Sequence, residues 1–316
     1  MSELLEVRNL KKYFRVSNGW LHAVDDVSFT LQNGKTLGVV GESGCGKSTL
    51  GRTIVHLLDS TEGEIYFNGE EISRVRGRAL KELRRDMQII FQDPFSSLNP
   101  RMTVRQIIAE PLRCCKRMSS KEINRRVEEL MELVGLASRL ADSYPHELDG
   151  GRRQRIGIAR ALTLNPKFIV CDEPVSALDV SIQAQILNLM QDLQERLGLT
   201  YIFITHDLSV VKHISDDIMV MYLGQVVEKC SSDALFANPR HPYTRALLSA
   251  IPIPSLHVQR ERVLLKGELS SPVNPKPGCR FAPRCAYATS ECFQGSPPPA
   301  EDKTGHFVAC HHSQDV

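Results

Sequence analysis

The stretch Gly41-Glu42-Ser43-Gly44-Cys45-Gly46-Lys47-Ser48-Thr49 carries the residue types that hold a polyphosphate. Its glycines free the backbone to turn N–H groups inward around phosphate oxygens, and a helix starting at Lys47 aims its positive end at the same charge. In this pattern Lys47 reaches the β and γ phosphates and Ser48 lends its hydroxyl to Mg2+. Asp172-Glu173 closes the apolar run Phe168-Ile169-Val170-Cys171, and ligands bind at the carboxyl edge of such strands. Asp172 suits the metal, and Glu173 suits a general base that polarises an attacking water. Gln92 follows the strand-like residues 88–91 and His206 follows 201–205, so both polar side chains come to the same edge.

The elements around these residues follow from hydropathy. Residues 36–40 form a short apolar run before the glycine loop, and residues 47–57 read as a helix, giving the strand, loop and helix a phosphate loop needs. Residues 21–31 alternate as a half-buried strand does, and 64–67, 87–91 and 218–223 are strand-like. Residues 182–197 read as a helix between the buried-strand runs 168–171 and 201–204, a βαβ unit with a parallel sheet. Residues 104–134 read as helical and charged, with Arg125-Arg126 and Glu128-Glu129 on solvated faces.

A chain of 316 residues buries one large core, with room for appendages. Hydrophobic content of 42% and charged content of 24% fit an ordinary soluble domain, and a net charge of +2 argues against bulk attraction to nucleic acid. No apolar run is long enough to cross a bilayer, and the first residues lack the regions of a signal peptide. The expectation is a cytosolic protein whose nine cysteines stay reduced. After Ile251 the composition changes: nine of the 17 prolines and four of the nine cysteines follow. Residues 230–316 therefore read as an appendage that builds no conventional core and needs a staple, with Pro297-Pro298-Pro299 as a stiff loop.

One ordered set remains: the phosphate loop, Gln92, Leu148-Asp149-Gly150-Gly151-Arg152, Asp172-Glu173, Ser176-Ala177-Leu178-Asp179 and His206. Across residues 5–227 this set resembles the ABC ATPases. The resemblance implies an α/β fold: a P-loop NTPase core with an antiparallel β subdomain, a helical subdomain at residues 93–160, and a C-terminal peptide-transporter extension. It sets the ATPase domain at 1–229 and the extension at 230–316. It implies ATP contacts from Gly41, Ser43, Gly44, Cys45, Gly46, Lys47, Ser48 and Thr49, with Mg2+ held by Ser48, Gln92 and Asp172. Gln92, Glu173 and His206 become the catalytic group, residues 176–179 the D-loop, and Tyr13 the aromatic that stacks on adenine, with Phe14 beside it.

The family's signature pattern, Leu-Ser-Gly-Gly-Gln, meets Asp149 in place of serine and Arg152 in place of glutamine. In the family this motif closes over the ATP of a second subunit, so Asp149, Gly150 and Gly151 serve in trans. The glycines allow close backbone approach at a helix N-terminus, but an acceptor-only carboxylate repels a polyphosphate. Arg152 and Arg153 offset part of that charge. The expectation is a heterodimer with unequal sites.

Further stretches resemble the oligopeptide, dipeptide and nickel importer subgroup: Phe91-Gln92-Asp93-Pro94-Phe95-Ser96-Ser97-Leu98-Asn99-Pro100-Arg101-Met102, Ser143-Tyr144-Pro145-His146-Glu147-Leu148, and Asn238-Pro239-Arg240-His241-Pro242-Tyr243-Thr244. That similarity implies a peripheral ATPase on the cytoplasmic face of the plasma membrane. Its partners are a second ABC ATPase subunit, two membrane-spanning permease subunits and an extracytoplasmic substrate-binding protein, with no nucleic acid. Nickel or another solute is the alternative cargo, and a soluble ABC ATPase is the rival class. Cys279, Cys285, Cys292 and Cys310 are separated by five, six and seventeen residues. Zinc sites more often show two residues between paired cysteines, and the compartment disfavours disulfides. The four resemble the [4Fe-4S]-binding C-terminus of some dipeptide-importer ATPases. Iron–sulfur, zinc and plain thiols stay open, with His306, His311 and His312 as substitute ligands or simply exposed tail residues. Cys45 and Cys171 read as packing residues.

Overall fold

The computed structural model describes residues 3–93, 95–115, 118–251, 263, 265, 267 and 271–313. The chain divides into two compact units, residues 1–74 with 203–316 and residues 75–202. Of the importer-like stretch Phe91 to Met102, Pro94 lies outside the described residues, as do many of the residues between Ile251 and Ser271.

The first unit opens with β1 (Glu3–Val16) and β2 (Gly19–Gln32), an antiparallel hairpin. After β3 (Thr36–Val40) and α1 (Lys47–Ile54), β4 (Glu62–Phe67) and β5 (Glu70–Glu71) join that hairpin in the order β2-β1-β4-β5. Alternate residues of β2, namely Val27, Phe29 and Leu31, are buried, as a half-covered antiparallel strand requires. All five residues of β3 are buried, which explains its continuous apolar run. Helix α1 ends at Ile54 rather than Leu57, and His56 just beyond it has φ +55, outside helical space.

The second unit starts with α2 (Gly77–Asp86) and β6 (Met87–Ile90). Three helices follow: α3 (Val104–Cys115), α4 (Ser120–Leu133) and α5 (Gly150–Leu162). The helical charged stretch is thus two helices. Ser119 ends the continuity, because its hydroxyl accepts from the Glu122 N–H while Glu122 reaches back, a capping box that starts α4 afresh. Arg125 pairs with Glu129 at 2.9 Å on the solvated face as expected. Arg126 does not stay there: it is half-buried and donates to the Leu162 carbonyl at 3.5 Å. Then come β7 (Phe168–Asp172), α6 (Val180–Leu197) and β8 (Thr200–Ile204), and the boundary between the units falls inside β8. Strands β6 and β7 are parallel, with Ile90 opposite Cys171.

The first unit resumes with α7 (Leu208–Ile214), β9 (Asp217–Tyr222), β10 (Gln225–Ser231), α8 (Ser232–Ala237), α9 (Pro242–Ser249), α10 (Ser290–Gln294), β11 (Ala300–Glu301) and β12 (Phe307–Val308). β3 runs parallel to β9, β9 pairs antiparallel with β10, and β12 adds to the far edge of β10. The tail does build into a core, against the reading of a coreless appendage. Tyr243 and Phe281 are buried with Val40, Val220 and Tyr222, and both rings meet Tyr222 edge-on at 4.8 and 5.3 Å between centroids. The proline-rich composition hid this because a few large aromatics carry the burial. Phe281→Ala is expected to cost about 3–5 kcal/mol, as for other buried phenylalanines. The measurement is the denaturant midpoint of the full chain; no shift would mean the tail packs independently of the strands.

Candidate functional site

The phosphate loop continues β3 into α1. Lys47 is 5% exposed and its ammonium donates to the carbonyls of Gly41 at 2.8 Å and Glu42 at 3.0 Å. Gly41 and Gly46 have φ of +151 and +105, and a Cβ there would lie 2.2 Å from the Met221 carbonyl and 1.9 Å from that of Ala23. No other residue fits at these two places. The loop is braced further by the Gly224 N–H, which donates to the Cys45 carbonyl at 2.8 Å. Cys45 is buried, while Ser43 and Gly44 are exposed, and Ser48 and Thr49 occupy the first turn of α1.

His206 is brought to this unit's β3 edge. The Thr205 N–H donates to Val39 at 3.2 Å, so the exposed His206 follows directly, beside the start of the loop. Tyr13 is half-buried on β1, its ring stacked on His22 with centroids 3.9 Å apart, and its hydroxyl donates to Asp25. Burial, then that bond to a carboxylate, pushes the Tyr13 phenol above its usual range. Burial pushes Asp25 up, but bonds from Tyr13 and His22 and the charge of Arg280 outweigh it, and Asp25 lies below the usual carboxylate range. Phe14, the neighbouring aromatic, carries the Lys12 ammonium over its ring at 4.8 Å.

In the second unit the parallel register does the positioning. Ile90 opposite Cys171 sets Gln92 level with Glu173, just past both strand ends. The Gln92 side-chain amide accordingly donates to the Glu173 carboxylate at 2.8 Å. Asp172 is fully buried, and Glu173 has φ +48, a left-handed backbone that is uncommon outside glycine. The Ser176 hydroxyl donates to the Glu173 carbonyl at 3.1 Å, tying residues 176–179 to the same turn.

Asp149 is the N-cap of α5. Its carboxylate accepts from the Arg152 N–H at 2.8 Å and pairs with the Arg152 guanidinium at 3.4 Å. Gly150 and Gly151 open the helix, and a Cβ on Gly151 would lie 2.7 Å from Ile182. Arg153 does not share in balancing Asp149: it donates to the Pro145 carbonyl at 2.7 Å and stacks over Phe95 at 4.2 Å.

The four tail cysteines are in the first unit. Burial raises Cys279 and Cys285 above the usual thiol range and Cys310 to about 11, and neighbouring cysteines add to each. Backbone N–H groups oppose this: Tyr287 donates to the Cys285 sulfur and His312 to that of Cys310, each at 3.4 Å. Amides aimed at sulfur suit the thiolate ligands of an iron–sulfur group, whereas the burial and the neighbouring cysteines favour the neutral thiols. Among the described residues, no group of three or more His, Cys, Asp or Glu is placed so that it could hold a metal ion. The tail histidines are not exposed residues: His306 is buried against Glu228 at 2.7 Å, and the half-buried His311 and His312 meet Glu291 and Thr289. Sequence reasoning also missed Arg280 and Arg284, which reach Asp25 and Glu42 and carry no local motif, and it gave Tyr243, inside the stretch 238–244, no contact with Glu42.

Residues 24–176 match the ABC transporter family, and residues 227–292 match the oligopeptide/dipeptide transporter C-terminal region. The chain is 54% identical to the oligopeptide transport ATP-binding protein AppF of Bacillus subtilis, over 98% of this chain and 97% of the relative. It is 50% identical to the dipeptide transport ATP-binding protein DppF of Haemophilus influenzae, over 98% and 96%. The chain belongs to the ATP-binding subunits of ABC transporters. As such it is an ATPase with the P-loop cassette fold. A solved ABC cassette, a dimer in a post-hydrolysis state bound to ADP and Pi, superposes with a TM-score of 0.67 at 31% identity, covering 72% of this chain and 99% of that one. Among the described residues, no helix is long and apolar enough to cross a membrane. Within the matched segments of this ABC ATPase lie Lys47, Gln92, Asp149, Asp172 and Glu173, and also Cys279, Cys285 and Cys292; Tyr13, His206 and Cys310 fall outside.

Thiol chemistry checks the packing around the loop. Burial raises Cys45 and Cys171, and Cys230 to about 12, whereas Cys114 is exposed. A thiol reagent at pH 8 is expected to label Cys114 within minutes and to spare Cys45, Cys171 and Cys230 until denaturant is added. Rapid labelling of Cys45 in the native protein would contradict this packing.

Proposed function

We propose that this protein is the ATP-hydrolysing subunit of an importer that carries dipeptides or oligopeptides across the plasma membrane. The observation that carries the reading is the union, in one chain, of the ABC transporter segment with the oligopeptide/dipeptide transporter C-terminal region. Residues 1–229 are the ATPase domain and residues 230–316 the extension. The protein acts at the cytoplasmic face of the membrane with two permease subunits, an extracytoplasmic substrate-binding protein and a second ABC ATPase subunit.

In this reading the loop from Gly41 to Thr49 wraps the phosphates, and Lys47 neutralises their charge as it forms in the transition state. Ser48, Gln92 and Asp172 would hold Mg2+, which would draw charge from the phosphate oxygens. Glu173 takes a proton from the water that attacks the γ-phosphorus, the bond to the bridging oxygen breaks, and ADP and phosphate leave. The Gln92 bond at 2.8 Å orients the Glu173 carboxylate for that step. His206 contacts the γ-phosphate, and Tyr13 stacks on the base. Glu173→Gln is expected to lower turnover at least a hundredfold while ATP still binds, and Lys47→Ala to lose binding. Peptide uptake into vesicles of the whole complex should fall with turnover; uptake that persists with Glu173→Gln would sink the reading.

The two nucleotide sites of the complex are unequal. Asp149 spends its carboxylate on the Arg152 amide and guanidinium, so it offers the partner's ATP no hydroxyl donor. Within the complex, Asp149→Ser is expected to raise turnover several-fold, and loss of all turnover on Asp149→Ala would rule the inequality out.

Cys279, Cys285, Cys292 and Cys310 would hold a [4Fe-4S] cluster, supported by the backbone amides donated to the sulfurs of Cys285 and Cys310. Protein purified without air should contain about four iron and four sulfide per chain. Stoichiometric zinc without iron would replace the cluster with a zinc site.

A further inference from the structure

The turn between the first two tail cysteines carries two arginines, and both reach the elements that present the nucleotide residues. Arg284 makes a two-pronged pair with Glu42, the second residue of the phosphate loop, at 2.7 and 3.1 Å. The Tyr243 hydroxyl accepts from the Glu42 N–H at 2.8 Å, so this residue is held at side chain and backbone by two parts of the tail. Arg280 donates to the Leu223 carbonyl and to Asp25, the same carboxylate that takes the Tyr13 hydroxyl and lies 3.1 Å from His22. The side chains of both arginines are 9% exposed.

A carboxylate inside a loop built for a polyanion works against binding, because like charges repel. A guanidinium paired through two hydrogen bonds is the strongest common way to cancel it. The pairing also fixes the loop's second residue before any phosphate arrives, which lowers the ordering cost of binding.

We propose that Arg284 and Arg280 are positioning residues of the nucleotide site: Arg284 neutralises and orients Glu42, and Arg280, through Asp25, sets the Tyr13 ring. The tail is thereby part of the nucleotide site without touching the reaction. The proposal rests on reading residues 41–49 as the ATP loop and Tyr13 as the aromatic that stacks on the base. Because the two arginines act on different elements, their losses differ in kind. Arg284 acts on phosphate binding, so its effect grows with the number of phosphates. Arg280 acts on the ring, so its effect is independent of that number.

The test is equilibrium binding of ATP, ADP and AMP to the full chain, by displacement of a fluorescent nucleotide, with melting temperatures recorded for each variant. Arg284→Ala is expected to weaken ATP about tenfold, ADP less and AMP least, the size of one lost charge-assisted bond. The double variant Arg284→Ala with Glu42→Gln should regain most of the loss, since the uncancelled charge is gone. Arg280→Ala should weaken all three nucleotides by one similar factor. Failure of Glu42→Gln to rescue Arg284→Ala would overturn the neutralising role, even where Arg284→Ala lowers the melting temperature. Equal losses for all three nucleotides with Arg284→Ala would overturn it too, and an unequal loss with Arg280→Ala would overturn the role of Arg280. Lys47→Ala separates the two readings. If it loses ATP while both arginine variants bind normally, only the present inference fails; if it binds normally, the assignment of the loop itself fails.

Discussion

The phosphate loop is held by backbone against backbone, and the first unit depends on that constraint. Gly41 lies against the Met221 carbonyl and Gly46 against that of Ala23, closer than any side chain allows. A loop that must turn its amides toward a ligand has few side chains to spare for a core, and in this one Cys45 is buried while Ser43 and Gly44 are exposed. Its support therefore comes from neighbours: β9 on one side, β2 on the other, and the turn at Gly224 across the front. Lys47 follows the same rule, its buried ammonium satisfied by two loop carbonyls rather than by a carboxylate. Among the described residues, the loop's main cation thus meets carbonyls and the Cys45 sulfur.

In the second unit, register plays the corresponding part. One parallel pairing, Ile90 with Cys171, sets two strand ends level and makes the Gln92 to Glu173 bond almost unavoidable. A slip of one residue in either strand would set its side chain on the opposite face from its partner's. The left-handed backbone at Glu173 then turns its carboxylate off the strand end, a local cost kept where chemistry is done.

How much of this was readable depended on sequence distance. Residues 36–40 were legible to the residue because a fully buried strand is a continuous apolar run that stops at a glycine. Gln92 and Glu173 were legible because each ends such a run. β1 was not, since Arg8, Lys11, Lys12 and Arg15 break its alternation and Asn9 has φ +45. The end of α1 was missed because nothing about histidine announces the positive φ of His56. The Arg284 to Glu42 pair spans 242 residues and has no local pattern at all. The tail was misjudged for a related reason: its prolines and cysteines dominate the composition, whereas Tyr243 and Phe281 dominate the burial.

The discontinuity of the first unit has a consequence for synthesis. The loop leaves the ribosome early, but β9, Tyr243 and Arg284, which close around it, are translated after the entire second unit. At about 5–20 residues per second, the 235 positions from Thr49 to Arg284 take about 10–50 s to make. During that interval the nascent chain carries the glycine-rich loop without the later residues that brace it. A product truncated before Tyr243 retains the loop residues but lacks the tail groups that brace Glu42.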